Sequence, residues 1–279
     1  MKTLLRTRAL LNEAGRWDID FHLEPEGLKI FPQGILQRVD SIADIASEKR
    51  DPSKEPEAPF LYIDIASVDV NTGVIINPQE LTGDEAPSRA RKVVRAFDII
   101  VSTCRPTRGA IAVVPVELHN QIASTAFSIV RAKPDINPYY LHYALRLDST
   151  LEQFGKWSTG SSYPAILDDD VKKTLIPVPD PEIQEAIALN VMQAFKIRDE
   201  AIRLADDRWN NMLGALTDAV AQETPIAEQA VDAQTMPITL EGIKVIIAEL
   251  SPLEHDVARR RRKATSEIDL GDLFAGDAA

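Results

Sequence analysis

Two short segments carry the side chains best suited to chemistry in this 279-residue chain. Arg105-Pro106-Thr107-Arg108-Gly109 places two guanidinium groups and a hydroxyl on one turn. Lys156-Trp157-Ser158-Thr159-Gly160-Ser161-Ser162-Tyr163 gathers an ammonium group and a run of hydroxyls around a glycine. Arginine can donate two parallel hydrogen bonds to a guanine edge, while lysine, serine, threonine and backbone amides hold phosphates. With Arg89 and Arg91 added, the set Arg89, Arg91, Arg105, Thr107, Arg108, Lys156, Ser158, Thr159, Ser161, Ser162 and Tyr163 suits contact with a nucleic acid. A solvated charged face, or a loop that only closes the fold, is the alternative reading of each cluster.

Bond-making chemistry has no comparable support. His22, His119, His142 and His255 show no ligand spacing, and no Cys/His cluster for zinc accompanies them. Neither a glycine-rich phosphate loop nor a Ser/His/Asp set declares itself. Asn137-Pro138-Tyr139-Tyr140 imitates the loop with which methyltransferases hold a target amino group, but it lacks the second proline and opens a helix. Asp272-Leu273-Phe274-Ala275-Gly276 imitates a turn that meets S-adenosylmethionine, without a strand-helix unit behind it. A chain with no catalytic residues, no cofactor and no metal is the expectation.

Net charge is −12, which argues against a surface coated for DNA. Its distribution is uneven: segment 86–108 holds six cations against Asp98 alone, so it is +5 and the remainder −17. One basic face on an acidic body follows. The single cysteine, Cys104, fits a reducing compartment and a cytoplasmic location. Arg6 and Arg8 interrupt the apolar start of the chain, and no stretch is long enough to span a membrane.

Elements must position these clusters. Ile35, Val39, Ile42 and Ile45 recur at helical intervals and predict a helix over 35–46. Segments 60–68, 74–76, 97–103, 110–114 and 121–132 read as strands, separated by turns at 69–73 and 105–109 and a loop at 81–88. Asn137 as cap and Pro138 at the first position open a helix over 137–147, and 151–157 continues as a second. Leu175-Ile176-Pro177-Val178-Pro179 suits an edge strand, since proline gives no amide to a ladder. Asp180-Pro181-Glu182 then starts the longest helix. Along it Ile183, Ile187, Val191, Ala194, Ile197, Ala201, Leu204, Met212, Leu216 and Val220 form a seam at three- and four-residue steps, as in a coiled coil. About 40 residues at ~1.5 Å each make a rod near 60 Å, too long for one small domain to cover. The organisation is a lead-in at 1–34, an α+β domain with a mixed sheet over 35–180, a helix over 181–222, and a linker, short helix and charged tail over 223–279.

Gly160, Ile166, Val171, Ile176, Pro177, Pro179 and Gln184 stand in the order and spacing with which the target recognition domain of type I restriction-modification specificity subunits closes before its long helix. Segment 97–109 resembles the central hairpin of those domains, with Phe97 where glycine is usual, and Trp17-Asp18 resembles their entry. The resemblance spans about 17–220. It implies an α+β recognition domain on a coiled-coil helix with a short helical or disordered tail. Its implied partners are double-stranded DNA, a methyltransferase subunit and, through the complex, an endonuclease subunit, which carry the chemistry. Specificity subunits usually hold two recognition domains and two helices, whereas one of each is found here. A half-subunit that pairs as a homodimer on a split, palindromic target is therefore expected. The competing class is a non-enzymatic assembly scaffold whose front domain binds protein, which the acidity favours.

Overall fold

The computed structural model describes residues 7–8, 19–23, 25–160 and 162–222. The chain divides into two units, Met1–Asp207 and Arg208–Ala279, and the second is described only through the last turns of its helix. In chain order, α1 (Ile19–His22) precedes β1 (Leu36–Arg38), α2 (Val39–Ile42), β2 (Ala43–Ile45) and β3 (Pro59–Ile63). Then come β4 (Val68–Asp69), β5 (Val74–Ile75), β6 (Gln79–Thr82), β7 (Ala90–Val94), β8 (Ile99–Ser102), β9 (Ile111–Val113), β10 (Gln121–Ser124) and β11 (Phe127–Ala132). α3 (Pro138–Leu145), α4 (Asp148–Trp157), α5 (Asp168–Lys173), β12 (Leu175–Pro177) and α6 (Pro181–Gln222) follow.

Two four-stranded sheets carry the first unit, ordered β6-β3-β10-β7 and β2-β11-β8-β9. All their pairings are antiparallel except β3 with β10. The second sheet is covered on both faces, which is why β8 reads as an unbroken apolar run. Ile99 and Val101 of β8 pack with Tyr140, Leu141 and Phe154 of α3 and α4. Ile100, between them, faces the other way and packs with Ile63, Val94 and Phe127. The α+β class with a mixed sheet and a long helix is as expected.

Closure of the domain uses the residues that carried the resemblance. Ile166, Val171 and Ile176 are all buried in one core cluster with α3 and α4. β12 pairs antiparallel with β1, and the amide and carbonyl ends of the buried Gln153 side chain bond the backbone of Leu175 on both sides. Tyr140 donates to the carbonyl of Pro177 at 2.6 Å. Gln184, buried at the start of α6, donates to the carbonyl of Pro179. Each of these side chains fastens the terminal strand or the first turn of the helix, so their order along the chain is fixed by packing.

Several local expectations change. Segment 35–46 is strand, one helical turn and strand, because β1 is recruited by β12 and β2 by β11, leaving helical spacing only for the buried Val39 and Ile42. Segment 121–132 is two strands in different sheets, and the chain crosses between them at Ser124-Thr125-Ala126. Strand 60–68 ends at Ile63, where Asp64 caps a 3₁₀ turn by accepting from the Ser67 amide. Part of the loop at 81–88 belongs to β6, paired to β3. Phe97 has φ 70°, the left-handed conformation that glycine adopts freely. The next residue holds that turn: the buried Asp98 carboxylate accepts from the Arg95 amide and, at 2.8 Å twice, from the Arg131 guanidinium. The Trp17-Asp18 entry, the linker and short helix, the arginine run at 259–263 and the acidic tail lie outside the described residues.

Candidate nucleic-acid interface

The two polar segments singled out by composition are locked to each other. β8 ends at Ser102, and Arg105 turns into the left-handed region (φ 48°) before a 3₁₀ turn over Pro106–Arg108 that Gly109 closes at φ 72°. The Arg105 amide donates to the Pro164 carbonyl at 2.7 Å, and the Ile166 amide donates to the Thr103 carbonyl at 3.0 Å. Across the second loop, Thr159 and Ala165 exchange both backbone hydrogen bonds. Gly160 sits at φ 93°, and a Cβ there would meet the Tyr163 carbonyl oxygen at 3.0 Å. Glycine is thus required by the loop itself.

The side chains divide by what they touch. The Arg105 guanidinium lies 5.0 Å over the Tyr163 ring, a cation–π contact that orients a ring 77% exposed. Thr107, Arg108, Thr159 and Ser162 are exposed beside that pair in sequence and in the paired loops. Ser158 instead donates to the Phe154 carbonyl of its own helix at 2.7 Å. Lys156 is half-buried at the end of α4, next to Trp157, over whose ring the Lys173 ammonium stands at 4.5 Å. Ser161 lies outside the described residues.

Arg89 joins the same rim through the backbone. Its carbonyl accepts from Thr125, and the neighbouring Ala126 carbonyl accepts from both the amide and the hydroxyl of Thr103. Arg91 points elsewhere: it donates to the Ala90 carbonyl at 2.8 Å and stands 3.4 Å from Asp51. Other cations of the basic segment are likewise paired, Lys92 with the Phe127 carbonyl and Arg95 with Glu48. Three of the six cations, Arg91, Lys92 and Arg95, thus stand beside carboxylates, while Arg105 and Arg108 belong to the interlocked loops.

Sequence reasoning passed over Arg146, which stands at the C-terminal cap of α3 and reaches the carbonyls of Gly109 and Ile111 at the end of the 105–109 turn. Its only signal was a cation in NPYYLHYALRL. Among the described residues no cluster of His, Cys, Asp and Glu could hold a metal ion, and no helix is long and apolar enough to cross a membrane.

The long helix shows two faces. Gln184, Ala188, Phe195 and Arg198 turn toward the preceding α+β domain: the first two are buried, Phe195 meets the rings of Tyr139 and His142, and Arg198 pairs with Asp69 at 3.0 Å. Five members of the predicted seam are exposed along the helix, Ile183 50%, Ile197 57%, Leu204 58%, Met212 54% and Val220 80%. Ile187 is the seam member that packs against the core. Beside it, Tyr143, Ile183, Ala186, Ile187, Val191 and Ala194 line an open, mainly apolar groove of about 670 Å³.

No family model matches the chain. The type I restriction enzyme HindI specificity subunit of Haemophilus influenzae is 26% identical over 193 residues, which cover 66% of this chain and 41% of that one. The crystal structure of the HsdS subunit from Thermoanaerobacter tengcongensis aligns at TM-score 0.53 with 36% identity, over 71% of this chain and 51% of that one. A structure from work on complex assembly and conformational transition of the type I restriction-modification system aligns with the same values. The chain spans about half the length of these relatives.

Proposed function

From the premise that this chain is a partial-length relative of type I specificity subunits, we propose that it reads DNA sequence for a restriction-modification complex and leaves catalysis to its partners. The observation that carries this reading is the 36% identity to a specificity subunit over 71% of this chain and 51% of that one. Arg105, Thr107 and Arg108 read bases from one loop, while Thr159, Ser161, Ser162 and Tyr163 hold backbone and base edges from the other. Arg89 and Lys156 add phosphate contacts at the rim, with Arg91 and Ser158 supporting from their intramolecular positions. The exposed seam from Ile183 to Val220 pairs with a second copy, so that two identical domains read a split target of fixed gap. Methyltransferase subunits, and through them an endonuclease subunit, dock on this dimer in the cytoplasm.

An acidic protein with few free cations makes few phosphate contacts, so its affinity should fall with salt more gently than that of a basic binder. The test is duplex binding by the purified full chain, with and without a methyltransferase subunit, across a salt series. Arg108→Ala should lower affinity for the preferred duplex by roughly tenfold or more, as loss of a bidentate base contact does. Unchanged affinity and preference in both Arg105→Ala and Arg108→Ala would remove the proposed contact turn.

A further inference from the structure

One guanidinium holds four backbone carbonyls from two separate loops. Nη1 of Arg146 donates to Gly109 and Ile111 at 3.1 Å each, and Nη2 donates to Val70 and Asn71 at 3.0 Å each. The first pair belongs to the end of the contact turn and to β9. The second pair directly follows Asp69, whose carboxylate accepts from Arg198 on α6 at 3.0 Å, from the Thr72 hydroxyl at 2.6 Å and from the Asn71 amide at 3.0 Å. From the long helix to the contact turn there is thus an unbroken series of polar contacts: Arg198, Asp69, the 70–71 backbone, Arg146, Gly109.

Two further observations mark this as a position chosen for geometry. Among the described residues no carboxylate pairs with Arg146, so its charge is half-buried among neutral acceptors, and burial pulls its pKa below the usual arginine value while Asp69 acts the other way. The space for its fork is also kept open by Gly73, at φ 72°, where a Cβ would stand 2.8 Å from Nη1 of Arg146 and 2.5 Å from Nε2 of His142. A lysine point charge could satisfy one or two carbonyls but could not fix the angle between two loops, which a planar fork does.

We infer that Arg146 is a positioning residue that fixes the contact turn relative to loop 69–73, and that the Asp69–Arg198 pair extends this registration to the long helix. A change at the helix is thereby felt at the turn. This deepens the proposed DNA reading, and only its second test below depends on that reading.

Hydrogen–deuterium exchange of the full chain, without DNA, tests the registration directly. Arg146→Lys should speed exchange of the amides of 105–111 by about tenfold and Arg198→Met by about threefold, the range expected for coupling of this kind. Arg131→Lys is the control: it weakens the Asp98 pair, which does not touch the turn, and should leave 105–111 unchanged. Should Arg146→Lys fail to fold, Arg198→Met and Asp69→Asn carry the test. Faster exchange confined to 69–73 in both, with 105–111 at the wild-type rate, would overturn the inference. The second arm measures affinity for the duplex that the wild-type chain prefers from a random pool and for an unrelated duplex. Arg198→Met should weaken the first by about threefold and leave the second unchanged. If the wild-type chain binds neither duplex, the DNA reading fails and the exchange data still decide the registration.

Discussion

The packed and the exposed residues of α6 differ in a way that neither hydropathy nor length conveys. Toward the α+β domain the helix presents Gln184, Ala188, Phe195 and Arg198: an amide for the Pro179 carbonyl, a small residue for close approach, a ring and an ion pair. Ile183, Ile197 and Leu204 are larger and more apolar yet exposed, and so are Met212 and Leu216 further along the helix. Polar and small side chains fasten the helix together with Ile187, while these larger apolar residues stay exposed among the described residues. Intramolecular docking here rests on specific fastening, whereas the free face is suited to a general apolar partner, for which a second copy of the same seam is the proposed match.

Four changes break or sharpen that contrast. The largest effect belongs to Ala188→Glu, which buries an unpaired carboxylate and should cost roughly 4 kcal/mol or more in urea unfolding. The double change Leu204→Glu, Met212→Glu should leave that unfolding curve in place while abolishing self-association in sedimentation. Equal destabilisation by the two variants would erase the distinction between the faces.

A smaller effect comes from His142, buried between Phe195 and Arg146. Burial first, and the Arg146 charge second, push its pKa down to about 4 from 6.5, with the backbone of Ile111 and Gly73 weakly opposing. Because the folded value lies below the unfolded one, acid favours the unfolded chain. The contribution is complete above pH 6.5 and is lost as pH falls toward 4, about 3 kcal/mol in all. Urea titrations at several pH values should show this slope, and His142→Gln should flatten it. The smallest effect is that of Arg198→Met on stability, about 0.5–1 kcal/mol, since the Asp69 pair is partly solvated.

What could be read in advance follows from what each signal encodes. Capping and proline rules placed α3, whose Asn137 side chain accepts from the Tyr139 amide, and the start of α6. The closing residues Ile166, Val171, Ile176 and Gln184 were legible because each does one packing job at a fixed distance along the chain. Pairing partners were not. Val39 and Ile42 have helical spacing whatever their flanks do, and only β12 and β11 make those flanks strands. The crossing at Ser124-Thr125-Ala126 carries neither glycine nor proline, so two strands in two sheets looked like one. In the candidate site, residue types located both loops, but their interlocking through Arg105 and Pro164, the inward turn of Ser158 and the bracing by Arg146 depend on contacts between distant segments.

The most direct measurement is enrichment from a random duplex pool by the full chain with a methyltransferase subunit, for wild type and Arg108→Ala. A split sequence with two-fold symmetry and one fixed gap should emerge from the wild type, with guanine positions relaxed in the variant. Recovery of no sequence, or of an undivided site that Arg108→Ala reads equally well, would contradict the account.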